Sequence, residues 1–307
     1  MKFNFNDVYK IESGASHKKI YRFKNHNEEK IIVDFSYNYN DYLSFLEINN
    51  FLSIINISVP KIFETDDTKS IIIMEDFGNN RYDKLINTID PKEILIDGIN
   101  SLIEIHNSQK PIENKFLKKY DLATFTVEIA EFADFYLSKK NIGKDVVDEF
   151  FYIWKSEFEN LNFNWDSFVH KDFELSNLMH LSQRDGHLKC GILDFQNAFI
   201  GFSGWDVFSL LENPRIYFDD KDNDELIEYY FNKTNQNLSF KEFLTQYYFL
   251  NTARQSRIIG RWINFDKKNK NNNYSKYLSV TLKRLEKSLY NLQNEKLSKL
   301  YEKIISR

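Results

Sequence analysis

The sequence predicts an α+β chain in two parts: a small antiparallel sheet with one helix over residues 1–77, then a larger, mainly helical part over residues 78–307. Three observations carry this expectation. Short runs rich in β-branched and aromatic residues crowd the first quarter of the chain and recur only in one later patch. Three long stretches between residues 91 and 161 carry apolar residues three or four apart. Between these regions, the polar segment "EDFGNN" at residues 75–80 contains Gly78 and reads as a hinge.

The elements follow in order. "DVYKIES", "KKIYRFK" and "EKIIVDF" read as three antiparallel strands, separated by the turn-prone "GASH" and "NHNE". Residues 41–55 have helical periodicity at Leu43, Leu46, Phe51 and Ile54, with Asp41 placed to cap. "VPKIFET" and "KSIIIMED" complete a five-stranded sheet. Beyond the hinge, Asp90 and Pro91 open a helix in the order that helix starts favour. "YDLATFTVEIAEFADFYL" and "VVDEFFYIWKSEFENL" continue the helical pattern. A short β patch, "SFVHKD", "NLMHL" and "LKCGILDF", precedes further helices, which the low-complexity stretch at residues 266–276 interrupts.

At 307 residues and 42% hydrophobic content, the chain can bury a sizeable core. The lone Cys190 cannot form an intramolecular disulfide, and the N-terminal residues lack a basic-then-apolar layout, so a cytoplasmic setting is expected. The longest apolar runs fall far short of the ~18 residues of a membrane span, so no membrane partner is expected. Net charge is −4, yet residues 251–307 hold 14 Lys and Arg against 4 Asp and Glu. Interleaved with apolar residues at helical spacing, these charges read as solvated helix faces, and no nucleic-acid partner is expected. Arg254 and Arg257, in an aromatic and apolar tract, are candidates either for ion pairs or for substrate contact.

The β patch carries the chemistry. In "FVHKDFELSNLMHL", His170, Asp172 and Asn177 lie close together between apolar residues, and Asp194 follows the apolar run "CGIL". A hairpin turned at "SQRDGH" would bring Asp194 back beside Asn177. Phosphoryl transfer from ATP needs such a set: one carboxylate to orient a hydroxyl, and an Asn and a second carboxylate to hold Mg2+ on the phosphates. His-x-Asp followed by Asn five residues later, and then by Asp-Phe, has the spacing of a kinase catalytic loop.

"HKDFELSNLMHL" and "GILDFQNAFIGFSGWDVFSLLENPR" together resemble the aminoglycoside phosphotransferase/choline kinase superfamily. Within it, the chain is most similar to the bacterial branch of anomeric N-acetylmuramate/N-acetylglucosamine kinases. "GASHKKIYRF", "VPKIFE", "IIIMEDFG", "IEIHN" and "ARQSRIIG" fall in the order of that branch. The resemblance implies a bilobal protein-kinase-like fold, with residues 1–77 as the nucleotide-binding lobe and residues 78–307 as the catalytic and substrate-binding lobe. It implies Asp172 as catalytic base, Asn177 and Asp194 as Mg2+ ligands, and His170 and Asp206 as structural support. Met74, Glu75 and Phe77 would meet the adenine, while Gly14, Ser16, Lys18 and Lys19 would lie by the phosphates.

One departure stands out. Kinases of this fold carry a phosphate-binding Lys on the third strand, but that strand here reads "KIIVDF", with Ile and Val at the interior positions. Lys18, Lys19 or Arg22 on the preceding strand could supply the charge instead. The resemblance implies a small-molecule acceptor, an amino sugar phosphorylated at its anomeric hydroxyl. The alternatives are an aminoglycoside- or choline-type alcohol, and a nucleotide-binding regulator without turnover.

Overall fold

The computed structural model describes residues 8–11, 18–24, 28–108, 117–161, 165–235, 237–268 and 273–305. Strands run Val8–Ile11 (β1), Lys19–Lys24 (β2), Glu29–Asp34 (β3), Ile62–Asp66 (β4), Ile71–Glu75 (β5), Ser167–Val169 (β6), Leu178–His180 (β7), Cys190–Ile192 (β8) and Phe199–Gly201 (β9). Helices run Tyr39–Ile54 (α1), Tyr82–Leu85 (α2), Pro91–Asn107 (α3), Leu122–Glu131 (α4), Lys144–Asn160 (α5), Trp205–Leu211 (α6), Asp220–Lys233 (α7), Phe240–Lys268 (α8), Leu278–Leu292 (α9) and Glu295–Ile305 (α10). The chain divides into two compact units, Met1–Leu117 with His170–Ala198, and Lys118–Val169 with Phe199–Arg307.

In the first unit, five antiparallel strands pair in the order β1-β2-β3-β5-β4. Cross-strand partners share a face of the sheet. The register therefore lines up Arg22, Ile31 and Met74 on one face, followed by Ile20, Val33 and Ile72. Helix α1 buries Tyr42, Phe45, Ile48 and Leu52. Its cap is Asn38 rather than the expected Asp41: the Asn38 side chain accepts from the Asn40 N–H at 3.0 Å. Asp41 instead sits inside the first turn, where a negative charge complements the helix dipole. The α3 boundaries match the sequence pattern, with the Asp90 carboxylate accepting from the Lys92 N–H at 2.9 Å.

In the second unit, β6 pairs with β9 from Ser167↔Gly201 to Val169↔Phe199. The core is aromatic, with Trp154 against Phe125, Phe249 and Tyr301. Helix α4 runs into a π-helical turn at Phe132–Leu137, and α8 crosses this junction at Gly260. A Cβ at that position would lie 2.1 Å from the Glu131 carbonyl oxygen. In a solvent-facing helix, Gly→Ala would stabilise. Here, Gly260→Ala is expected to lower unfolding free energy by about 1–3 kcal/mol, the usual scale of overpacking. A urea midpoint that rises in the variant would rule out the close-approach account.

Candidate active site

The β7–β8 hairpin forms as its sequence pattern suggests, Leu178 facing Ile192 and the Leu193 N–H donating to the Asn177 carbonyl at 2.9 Å. Asn177 and Asp194 thus leave the open end of one hairpin. Bonds within the first unit hold it: Ile192 N–H to Ser58 O at 2.8 Å and Ser58 Oγ to Leu188 O at 2.7 Å.

The loop from His170 to Asn177 is pinned without using the Asp172 carboxylate. His170 is buried, and its Nε2–H donates to the Leu193 carbonyl at 2.9 Å. Burial pushes the imidazole below its ordinary pKa of 6.5, against the opposing pull of the Leu193 bond and of Asp172 and Asp194. The ring is therefore neutral at physiological pH and acts as a brace. The Asp172 carbonyl accepts from the Glu174 N–H at 2.8 Å and from Asn177 Nδ2 at 2.8 Å. Asp172 is half-buried, and its carboxylate makes no hydrogen bond or ion pair among the described residues. The Asn177 bond commits Nδ2 and leaves the amide oxygen Oδ1 as the lone-pair side, able to accept a hydrogen bond or ligate a cation.

Lys18 pairs with Asp194, and Gln196 Nε2 donates to the same carboxylate oxygen at 3.0 Å. Burial raises the Asp194 pKa, but the Lys18 ammonium, the bonds from Lys18 and Gln196, and the nearby His170 outweigh it, so the carboxyl lies below its usual 3.8. Lys19, with 57% of its side chain accessible, is 3.8 Å from Asp34. Strand β3 puts Ile31 and Val33 into the interior, so the cation on Asp194 comes from Lys18, immediately before β2. Lys171 (φ 81°) and Asp194 (φ 68°) adopt left-handed backbone, a conformation that costs a non-glycine residue about 1–3 kcal/mol and clusters at functional sites.

At the hinge, Met74 is buried at the end of β5. The Glu75 carboxylate accepts from Arg184 Nη2 at 2.9 Å and from the Lys61 N–H at 3.1 Å. The Arg184 guanidinium lies 5.2 Å from the Phe77 ring centroid. Gly78 has φ 82°, which suits its expected role as the turning point. The structure brings Lys18, His170, Asp172, Asn177 and Asp194 together and places Met74, Glu75 and Phe77 in the same unit. Gly14 and Ser16 lie outside the described residues. Sequence reasoning missed the parts of Gln196 and Arg184. Gln196 could have been found from its place two residues after Asp194, whereas Arg184 has no signal in linear spacing.

Asp206, Arg254 and Arg257 belong to the second unit. Asp206 is buried in the first turn of α6. Arg257 Nη1 pairs with Glu128 at 2.6 Å, and the Tyr120 hydroxyl donates to Glu128 at 2.9 Å. With Arg254 they line a cavity of about 10 Å3, room for about one water. For Arg257, the ion-pair alternative is realised.

The donor set fits a hard divalent cation. Asn177 offers an amide oxygen and Asp194 a carboxylate already engaged by a cation, and Mg2+ is commonly held by one or two protein oxygens plus substrate phosphates. Among the described residues, no three His, Cys, Asp or Glu side chains form a closed metal cage. No helix there is long and apolar enough to cross a membrane.

Comparison with known proteins agrees with this geometry. The chain is 26% identical over 194 residues to the N-acetylmuramate/N-acetylglucosamine kinase of Caulobacter vibrioides, a match spanning 56% of this chain and 50% of that protein. It is 24% identical over 267 residues to the protein of the same name from Pseudomonas aeruginosa, covering 83% of this chain and 75% of that one. Against the first of these relatives, the chain thus spans about half the length. Among solved structures, a choline/ethanolamine kinase family protein from Mesorhizobium loti superposes with a TM-score of 0.61 at 12% identity, covering 96% of this chain and 92% of that one. The ADP-bound aminoglycoside phosphotransferase APH(2'')-Ib superposes at 0.59 with 14% identity, covering 91% and 94%. These likenesses show the kinase-like fold. The sequence pattern of the phosphotransferase enzyme family matches residues 7–242 of the 307, and the chain belongs to that family.

Proposed function

We propose that this protein is an ATP- and Mg2+-dependent kinase for an N-acetylated amino sugar, acting on the anomeric hydroxyl of N-acetylmuramate or N-acetylglucosamine in cytoplasmic recycling of cell-wall sugars. The observation that carries the reading is the Asp172 carboxylate, without a hydrogen bond or ion pair among the described residues, on a loop pinned at both of its ends, beside Asn177 and the Lys18–Asp194 pair. The names of the two relatives reported above support this acceptor class.

Asp172 accepts the hydrogen bond of the acceptor hydroxyl and orients its oxygen toward the phosphoryl group. Asn177 Oδ1 and the Asp194 carboxylate would hold the cation, and Lys18, immediately before β2, brings positive charge to the phosphates, the role that β3 leaves open. Mg2+, when bound, offsets the charge of the transferring phosphoryl group. His170, neutral and donating to Leu193, fixes the loop that carries Asp172 to the segment that carries Asp194. Asp206 supports the catalytic lobe, and Arg254 is offered as an acceptor contact.

One observation weighs against a polycationic acceptor such as an aminoglycoside. The acidic tract of residues 217–230, which could have lined its cleft, is partly neutralised from within. Lys287 pairs with Asp220 at 2.9 Å and lies 3.8 Å from Asp224, and Arg284 Nη1 lies 3.6 Å from Asp220. The test is ADP release from Mg-ATP with N-acetylmuramate, N-acetylglucosamine, choline and kanamycin as acceptors. Turnover confined to the two amino sugars is the expected result. Turnover on choline or kanamycin alone would replace the acceptor, and bound ATP with no turnover on any of the four would favour a regulator.

A further inference from the structure

Arg22 was a candidate for the phosphate charge, but the structure commits it elsewhere. Its guanidinium reaches the segment after β5 and contacts three of the four residues from Asp76 to Asn79. Nε lies 2.5 Å from Asp76 Oδ2, and Nη2 donates to Asp76 Oδ1 at 2.8 Å and to the Gly78 carbonyl at 2.9 Å. Nη1 donates to Asn79 Oδ1 at 2.6 Å. Asp76 Oδ1 also accepts from the Gly78 N–H at 2.8 Å, so both backbone polar groups of the left-handed Gly78 are held by this one arrangement.

Arg22 stands on β2 and the segment follows β5, with β3 between them. Two strand spacings are about 10 Å, and the long arginine side chain spans them over Ile31, its neighbour in register. The pair is largely removed from water, with 15% of the Arg22 side chain and 3% of the Asp76 side chain accessible. The fork of N–H groups serves three acceptors at once, which a lysine ammonium on a flexible stem cannot reproduce with the same geometry. Phe77, in the middle of the clamped segment, has a backbone N–H and C=O that make no hydrogen bond among the described residues. The clamp therefore fixes the direction of one donor and one acceptor that remain open for a ligand edge, and a nucleobase presents such an alternating edge.

We infer that Arg22 is a positioning residue for nucleobase recognition: by holding Asp76, Gly78 and Asn79 it sets the Phe77 peptide groups that read the base. The inference rests on the nucleotide-binding reading above and deepens it. It separates recognition of the base, governed by Arg22, from recognition of the phosphates, governed by Lys18 and Asp194.

The test is calorimetric titration of ADP, GDP and inorganic tripolyphosphate, each with Mg2+, into the full chain and into Arg22→Gln, Arg22→Lys and Asp76→Asn. Tripolyphosphate has no base and reports on phosphate binding alone. The expected result is that Arg22→Gln weakens ADP by about tenfold or more, the scale of one lost hydrogen bond to a charged group. Tripolyphosphate should be unchanged, and the preference for ADP over GDP should collapse. Arg22→Lys should restore little of either. Asp76→Asn keeps an acceptor for the Gly78 N–H but loses the charge, so it should repeat the pattern in a second background if Arg22→Gln folds poorly. ADP and tripolyphosphate weakening in parallel, or variants matching the wild type, would overturn the inference alone. A wild-type chain that binds neither probe would overturn the nucleotide-binding reading itself.

Discussion

In Asp172→Ala, turnover is expected to fall by about 10³-fold, within the range for loss of a general base, while ADP affinity stays near the wild-type value. The separation follows from how the loop is held. The bonds that fix it run to the Asp172 carbonyl, from Glu174 N–H and Asn177 Nδ2, and from His170 to Leu193. None uses the Asp172 carboxylate, so its removal leaves the loop and the Lys18–Asp194 pair standing. Asp172→Asn is the stricter comparison, since it keeps the shape and polarity of the side chain but cannot take a proton. Steady-state ADP release and calorimetric ADP binding measure the two quantities separately. Near-normal turnover in both variants would remove Asp172 from the chemistry. Equal loss of turnover and of ADP binding would make it a structural residue of the nucleotide site.

The parts of this site that were legible in sequence are those written at short range. The β7–β8 hairpin could be read because two apolar runs flank a polar turn, and pairing them in antiparallel register sets Asn177 beside Leu193 and Asp194. The five strands before Asp76 could be read for the same reason, as could α3, whose apolar spacing and Asp90–Pro91 start agree. Strand β9 could not. "FIG" is three residues long, wholly buried and without alternation, and it becomes a strand only because β6 lies beside it. The cap of α1 was misplaced because Asn38 and Asp41 are both capping residues three positions apart, and backbone geometry at Asn38 decides between them. Arg22 shows the deeper limit. A guanidinium that crosses a strand to serve residues more than fifty positions away leaves no period and no motif. Its charge was visible in sequence, but its partner was not. The same holds for Arg257, whose buried pairing with Glu128 depends on how α8 packs against α4.

The second large effect is expected at Lys18, where the predicted loss is both chemical and electrostatic. Lys18→Met keeps an unbranched side chain of similar length and removes the charge. Two consequences should appear together. Affinity for ADP and for tripolyphosphate should drop by about tenfold or more, as expected for a lost charge-assisted contact to phosphate, because β3 has Ile31 and Val33 where a replacement lysine would be needed. The contribution of Asp194 to the pH dependence of stability should also change sign in the acid range. In the wild type, burial raises the Asp194 pKa but Lys18 and Gln196 outweigh it, so the folded-state value lies below 3.8. A carboxyl depressed in this way contributes stability that is present above 3.8 and lost as pH falls through the folded value. Without Lys18, burial is the dominant influence left, and the folded-state pKa should move above 3.8. The contribution would then be present below 3.8 and lost as pH rises through the new value, so this group would stabilise the variant less at neutral pH than in acid. Urea unfolding of both proteins between acid and neutral pH in metal-free buffer distinguishes the two slopes. Mg2+ should restore part of the variant's stability at neutral pH, since a cation on Asp194 replaces the charge that Lys18 supplied. Parallel pH profiles in the two proteins would mean that the Lys18–Asp194 pair is too weak to govern the carboxylate. The positive charge for the phosphates would then have to come from another residue.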